Sequence, residues 1–363
     1  MRKILLSLVA AVSLLLGSGC GLKDIDKRFF VIVVGIDKGD SSLFKVTLKL
    51  AIPSPRTEPG EAKFQTISQE ADSIAEAVRL MKSKVDKEFD FGQAKDIVIG
   101  KSFADTHEIG HSLDFFFRRR DIQEIANVSI GEPDAATVIN AKPLSERLPG
   151  NSLILAFSDE GTESPYIIKT PLFDYYRRIF DLGKDPYLPI IRALEETFVI
   201  NRVAILKTNY KRLELNPDET AALNQLARGY KRFVIKSPPN EPRLTFSSTR
   251  LKSTYKILTP KNGDPVIRFH IRVDVEAEES EEKLFEKNWH DLERLAATQL
   301  KDQYLELLTK LQKHGVDPIG FGIRYRATRH EKSKEYENWR KIYPNVRFDI
   351  RVAVHFRGTG IIK

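Results

Sequence analysis

The residues with the most definite chemical pattern are His107-Glu108-Ile109-Gly110-His111, which match the H-E-x-x-H signature of zinc proteases. On one helix this spacing places both imidazoles on the same face, where they can bind zinc while the glutamate acts as general base on metal-bound water. Such a site needs a third ligand. Glu132 is the candidate, because it lies 21 residues after His111. A secreted zinc-dependent hydrolase is therefore one functional hypothesis.

Three features of the sequence oppose a zinc site. Asp105-Thr106 is typical of a helix N-cap, which would place His107 in the first turn. Gly110 weakens a helix interior by about 1 kcal/mol relative to alanine. Glu132 lies in a turn after a predicted strand, whereas the third ligand of such sites normally comes from a helix. We therefore predict that His107 and His111 are surface residues and that the chain has no metal ligands.

Other catalytic signatures are missing from the sequence. It contains no phosphate-binding P-loop, no dinucleotide fingerprint and no G-x-S-x-G nucleophile elbow. Cys20 is the single cysteine, so the chain can form neither an internal disulfide nor a cysteine-rich zinc site. We predict that the protein is not an enzyme, that it has no catalytic residues and that it binds no cofactor.

The position of Cys20 points to a lipid anchor. Arg2 and Lys3 precede a 13-residue apolar run, and Gly17-Ser18-Gly19 separates that run from Cys20. A positive start, a short apolar core and small residues before a cysteine are typical of a bacterial lipoprotein signal peptide. Thirteen helical residues are too short to cross a hydrocarbon core about 30 Å thick. We predict that residues 1–19 are removed and that the Cys20 thiol carries the lipid.

The composition is that of a folded body outside the bilayer. Of 363 residues, 41% are apolar and 30% charged, and 21 Phe with 11 Tyr supply enough apolar surface for packed cores. The formal charge is +8, or +6 without Arg2 and Lys3 of the leader. This mild excess suits an anionic membrane surface or an acidic partner, and no dense basic block indicates nucleic-acid binding.

The pattern of helices and strands predicts an α+β fold in three domains, each a mainly antiparallel or mixed sheet packed with helices. Helix and strand patterns alternate over 20–192, which we interpret as the amino-terminal domain. Residues 196–236 contain two strands, a helix and a further strand, and predict a small middle α/β domain. Residues 243–363 predict a carboxy-terminal α+β domain, in which an antiparallel sheet carries helices on one face.

The carboxy-terminal domain offers a polar strand face. Residues 346–356 alternate between apolar and polar positions, which leaves Arg347, Arg351 and Arg357 on the side away from the core. This face is the favoured surface for docking to a partner.

The order of these segments resembles the Ger(x)C family, the lipoprotein C subunits of bacterial spore germinant receptors. The likeness covers nearly the whole mature chain and is most specific near the carboxyl end. It rests on 29–37 ending in Gly35-Ile36-Asp37, Leu113-Asp114-Phe115, Asn216-Pro217-Asp218-Glu219, Val316-Asp317-Pro318-Ile319-Gly320-Phe321-Gly322, Trp339, Tyr343-Pro344 and 358–361. The H-E-x-x-H pattern falls where this family shows no such motif.

The resemblance implies a place and partners for the protein. It implies three α+β domains on the outer face of the spore inner membrane, held there through Cys20. It also implies assembly with a transporter-like integral-membrane subunit (B type) and a larger membrane subunit (A type). Such a complex starts germination in response to amino acids, sugars or nucleosides. Whether this subunit touches the nutrient stays open.

One further class is compatible with a lipid-anchored body, the solute-binding proteins. Members of that class usually have two similar α/β lobes with a cleft between them. The sequence shows no such duplication.

Overall fold

The computed structural model describes residues 25–51, 64–143, 150–158, 161, 163–207, 211–238, 241–260, 263–281, 283–284, 288–329 and 332–358. The predicted leader and Cys20 lie outside these residues. The described part contains two β-sheets with helices against them, so the α+β class is confirmed. None of its helices is both long and apolar enough to cross a bilayer.

The first sheet has nine described strands and forms the amino-terminal body. Its order is β3-β2-β1-β5-β6-β7-β8-β9, with β4 paired to the start of β1. An opening hairpin is formed by β1 and β2, and the strands β1, β5, β6 and β7 run parallel. The strands are β1 (Arg28–Lys38), β2 (Phe44–Ala51), β3 (Phe64–Ala71), β4 (Glu88–Asp90), β5 (Asp96–Gly100), β6 (Asn127–Glu132), β7 (Tyr187–Ala193), β8 (Phe198–Leu206) and β9 (Arg212–Leu215).

Helices cover both faces of this sheet, because the parallel strands are buried on both sides. Five helices contribute to the core on one face, and α5 and α6 contribute to the core on the other. The helices are α1 (Ile74–Lys82), α2 (Lys101–Thr106), α3 (Ile109–Ser112), α4 (Asp114–Arg118), α5 (Ala135–Asn140), α6 (Asn151–Phe157) and α7 (Leu172–Phe180).

The second sheet has the order β10-β11-β12-β13 and carries its helices on one face, as predicted. The antiparallel pairing expected of this sheet holds for β10, β11 and β12, whereas β12 and β13 pair in parallel, so the sheet is mixed. The reason is the long connection between these strands, which carries three helices back along the sheet before β13 begins. The elements are β10 (Val234–Lys236), β11 (Leu244–Leu258), β12 (Val266–Ser280), β13 (Arg347–Gly358), α8 (Pro217–Arg228), α9 (Trp289–Lys313), α10 (Phe321–Ala327) and α11 (Lys332–Ile342).

The predicted middle segment, 196–236, forms no sheet of its own among the described residues. Its first two strands, β8 and β9, extend the first sheet, while β10 joins the second sheet. Its helix α8 packs between them, and one continuous apolar core runs from β7–β9 to α9. The two sheets also differ in size and order, so they are not the pair of similar lobes expected of a solute-binding protein.

Candidate functional site

The H-E-x-x-H segment does not lie on one helix. Helix α2 ends at Thr106, and His107 has extended backbone angles of φ −133° and ψ 155°. Helix α3 begins only at Ile109 and contains the backbone of His111, whose side chain lies outside the described part of the chain. The prediction that His107 lies in the first turn of a helix is therefore wrong. The i, i+4 geometry that would bring two imidazoles together is lost at the break.

The His107 side chain is half-buried against its own helix. Its ring stacks on Phe103 with ring centroids 4.6 Å apart and planes 11° apart. Its Nδ1 lies 2.8 Å from the hydroxyl oxygen of Thr106. Both contacts hold the ring along α2, so the expectation of a free surface histidine is corrected for His107.

Glu132, the candidate third ligand, is already engaged by two cations. It is the last residue of β6 rather than part of a turn, and it is buried. Lys101 Nζ donates to it at 2.7 Å, and the Arg202 guanidinium donates to its other oxygen. Burial raises the pKa of Glu132, but these two cations outweigh burial and lower that pKa below its usual range. Within the described residues, no three His, Cys, Asp or Glu side chains form a group suited to a metal ion.

A cleft beside His107 lies between the first body and Tyr336 of α11. It has a volume of about 240 Å³, and its lining includes His107, Glu108, Arg178, Lys184 and Lys207. Burial and the neighbouring Arg178 lower the pKa of Lys184 to about 8. The cleft carries charges of both signs, but its lining residues Arg178 and Asp185 are used in contacts between the two bodies.

Arg178 of α7 is the centre of those contacts. Its guanidinium is buried, and Nε donates to Asp174 at 2.8 Å in the same helix. It also donates to the Tyr187 hydroxyl at 3.0 Å and to the carbonyl oxygen of Pro318 at 3.0 Å. A buried arginine keeps its charge, so these acceptors stabilise it. The bond to Pro318 ties the first body to the segment that leads into α10.

That segment contains the motif on which the family resemblance is most specific. The Asp317 carboxylate is buried and accepts backbone N–H groups of Gly320 at 2.8 Å, Phe321 at 3.0 Å and Gly322 at 2.8 Å. It therefore caps the start of α10. Burial nevertheless raises the pKa of Asp317 to about 7, and the nearby Asp185 carboxylate adds to that rise.

Two chain segments lie in backbone contact at this point, and we call 181–187 and 316–323 together the latch. The N–H of Asp317 donates to the Asp185 carboxylate at 2.5 Å, and the N–H of Asp185 donates back to the Asp317 carbonyl at 2.9 Å. The N–H of Ile323 donates to Gly183 at 3.1 Å. A Cβ on Gly322 would lie 2.7 Å from the Gly183 Cα, so only glycine permits this approach.

The other motif of the resemblance has a similar role. Asp37, at the end of Gly35-Ile36-Asp37, is buried and accepts the N–H groups of Ala135 and Ala136, both at 2.8 Å. It thus fixes the start of α5 against β1. Sequence patterns identified Asp37 and Asp317 but not their partners. Arg178, Asp185 and Gly183 carry no local signal, because their partners lie far away in sequence.

Comparison with known proteins matches this chain to one family along nearly its full length. Residues 21–193 match the family model described as the spore germination protein N-terminal domain. Residues 201–360 match the model described as spore germination B3/GerAC like, C-terminal. The predicted resemblance is confirmed by both matches.

A curated relative and a solved structure are similar over almost their whole lengths. The spore germination protein GerQC of Bacillus cereus is 22% identical over 385 residues, which cover 99% of both chains. The crystal structure of the GerBC protein superposes with a TM-score of 0.58 at 17% identity, covering 89% of this chain and 96% of that one. This structural likeness shows a shared fold. With both domain models matched in order and the fold shared, this chain belongs to the Ger(x)C family of spore germination proteins.

Proposed function

We propose that this protein is the lipid-anchored C subunit of a nutrient germinant receptor and that it is required for germination in response to small nutrients. The observation that carries the proposal is the ordered match of both germination domain models over 21–193 and 201–360. The relative named as a spore germination protein aligns with this chain over 99% of both lengths, which supports the same proposal.

The proposed mode of action is protein–protein contact at the membrane, without catalysis. Asp37, Glu132 and Asp317 are engaged with backbone N–H groups or cations that hold the fold. None of them is left to act on a substrate. The proposed partners are the transporter-like B subunit and the larger A subunit of the same receptor. The proposed site is the outer face of the spore inner membrane.

The lipid on Cys20 would serve this function by confinement. Anchoring restricts the folded body to a thin layer beside the bilayer, which raises its effective concentration for an integral-membrane partner without any new contact. A subunit of this kind can stabilise or couple its partners even where each single contact is weak.

Deletion of the gene tests the proposal. We expect spores without this protein to lose or slow germination in one set of nutrients, while sporulation and germination triggered by calcium dipicolinate stay normal. Restoring the gene should restore the response. Normal nutrient germination in a strain with no other receptor of this kind would contradict the proposed function. Affinity purification from spore membranes should recover the two integral-membrane partners, and recovery of neither would contradict the proposed assembly.

A further inference from the structure

The outer face of the second sheet is open to solvent among the described elements. The helices α9, α10 and α11 pack on its inner face, and the outward positions of β11, β12 and β13 alternate with that core. We call the outward positions within 250–258, 266–274 and 347–357 the basic sheet face, and Glu276 and Glu279 continue the outward side of β12 beyond it. Its charged members and histidines are Arg250, Lys252, Lys256, Arg268, His270, Arg272, Asp274, Arg347, Asp349, Arg351, His355 and Arg357.

This face holds a large share of the protein's excess positive charge. It has eight Lys or Arg residues and two Asp residues, a formal charge of +6 with neutral histidines. The whole chain without Arg2 and Lys3 also has a formal charge of +6. The rest of the mature chain is therefore neutral on balance, and the molecule has one strongly positive side.

The two acidic residues neutralise only part of the face. Asp274 pairs with Arg357 at 2.9 Å, and Asp349 pairs with Arg268 at 2.5 Å and with Arg351 at 3.3 Å. Five cations of the face form no ion pair within the described part of the chain. They are Arg250, Lys252, Lys256, Arg272 and Arg347.

Some of these cations are direct cross-strand neighbours of one another. Lys252 on β11 lies opposite Arg272 on β12, and Lys256 lies opposite Arg268. Like charges in such positions destabilise a sheet. The side chains point away from the core, so packing does not require them. Their arrangement is thus costly for folding and favourable for binding an anion.

The chemistry of the face favours lipid headgroups over a protein partner. Its outward apolar residues on these three strands are limited to Leu258, Val266 and Ala353, and the first two lie at one end. Protein interfaces usually have an apolar or aromatic centre, which this face lacks. Binding to an anionic headgroup layer needs only charge, at about 1 kcal/mol for each Lys or Arg near the surface.

We propose that the basic sheet face binds the anionic phospholipid surface of the membrane that carries the protein. The centre of the contact is the groove lined by Lys252, Thr254, His270, Arg272 and Arg351, which admits phosphate-sized groups. This inference rests on the proposed membrane location. It adds which side of the carboxy-terminal body faces the lipid. A lipid chain and a basic surface together give the two signals that stable anchoring requires.

Vesicle binding by the mature chain, residues 20–363 with Cys20→Ala, tests the face without the lipid anchor. We expect this chain to sediment with phosphatidylcholine vesicles that contain phosphatidylglycerol and not with phosphatidylcholine alone, and to be released by salt. The triple variant Lys252→Gln, Arg272→Gln, Arg351→Gln should bind about a hundredfold more weakly, and Lys252→Gln alone about fivefold.

The matched control removes three exposed lysines from the helices on the opposite side, as Lys301→Gln, Lys313→Gln, Lys341→Gln. We expect it to bind like the parent chain. Equal losses in both triple variants, or equal binding to the two vesicle types, would overturn the proposal. So would preference for poly-glutamate over the anionic vesicles, since that result assigns the face to an acidic protein. None of these results depends on the germination phenotype, so a failure here leaves the proposed receptor role standing.

Discussion

Among the buried carboxylates, Asp96 at the start of β5 differs from the two that cap helices. Asp37 and Asp317 accept backbone N–H groups, whereas neither oxygen of Asp96 has a well-formed hydrogen bond within the described residues. The side chain is fully buried. Burial raises the pKa of Asp96 to about 7, and the neighbouring Asn127 and Lys95 oppose this rise only in part. The folded protein therefore keeps Asp96 protonated up to about pH 7.

This raised pKa predicts a stability that depends on pH. The folded state keeps the proton that the unfolded chain releases above about pH 4, so the contribution of Asp96 to stability falls as pH rises from about 4 through 7. We expect Asp96→Asn to raise the midpoint of thermal unfolding at about pH 8 and to change it little at about pH 4.

Unfolding followed by circular dichroism at both pH values measures the effect of Asp96→Asn. The exposed Asp86→Asn serves as control and should change neither midpoint. An equal effect of Asp96→Asn at both pH values would contradict a buried, protonated carboxyl at this position.

At the scale of elements, the latch is where backbone hydrogen bonds join the two bodies. Helix α10 begins at Phe321, where Asp317 accepts the first backbone N–H groups. The first turn of this helix lies on Gly183 from the other body. A Cβ on Gly322 would lie 2.7 Å from the Gly183 Cα and 2.7 Å from the Trp339 ring. The added Cβ would thus lie between the Gly183 backbone and the buried Trp339 indole. Moving either of them would cost packing energy.

We therefore expect Gly322→Ala to lower the free energy of unfolding by about 2–3 kcal/mol, through overpacking. Gly229→Ala is the control. Its φ is +69° but a Cβ there meets nothing within 4 Å, so only the backbone cost of about 1 kcal/mol applies. Urea unfolding gives both values, and hydrogen exchange should show faster exchange of the Ile323 N–H in Gly322→Ala alone. Unchanged exchange at Ile323 would contradict the role of the latch.

At the scale of the whole molecule, the proposed lipid on Cys20 would decide where the folded body works. Cys20 lies five residues before the first described residue, Ile25. Five extended residues span at most about 18 Å, so a lipid on Cys20 would hold the amino end of β1 close to the bilayer. Acyl chains contribute about 0.8 kcal/mol for each buried CH₂, which makes release of a doubly acylated protein very slow.

Replacing Cys20 by alanine removes the acyl acceptor. We expect the variant to stay uncleaved or to leave the membrane fraction, and we expect loss of the nutrient response with it. Fractionation of spores and mass spectrometry of the amino-terminal peptide measure this outcome. An unmodified Cys20 in mature native protein would contradict the anchor, and Lys27→Gln, close to the same terminus, should leave fractionation unchanged.

Local signals in the sequence determined most of the individual elements. The helix predicted within 196–236 is present as α8, since Asn216 and Glu219 satisfy each other's backbone N–H groups at 2.9 Å and Gly229 ends the helix at φ +69°. The alternating strand predicted at 346–356 is present as β13, with slightly different ends. Helix caps and strand alternation depend on residues only a few positions apart, so a short window of sequence is enough to predict them.

The tertiary structure decided how those elements are paired and where the motifs act. Residues 109–118 form two short helices, and the break at His107 separates the two histidines of the zinc-protease pattern from a common helix. The pairing of β13 with β12, the division of 196–236 between two sheets and the latch all join distant parts of the chain. Arg178 and Pro318, for example, are 140 residues apart. Such contacts depend on the packing of whole sheets and helices, and no spacing within a short window of sequence encodes that packing.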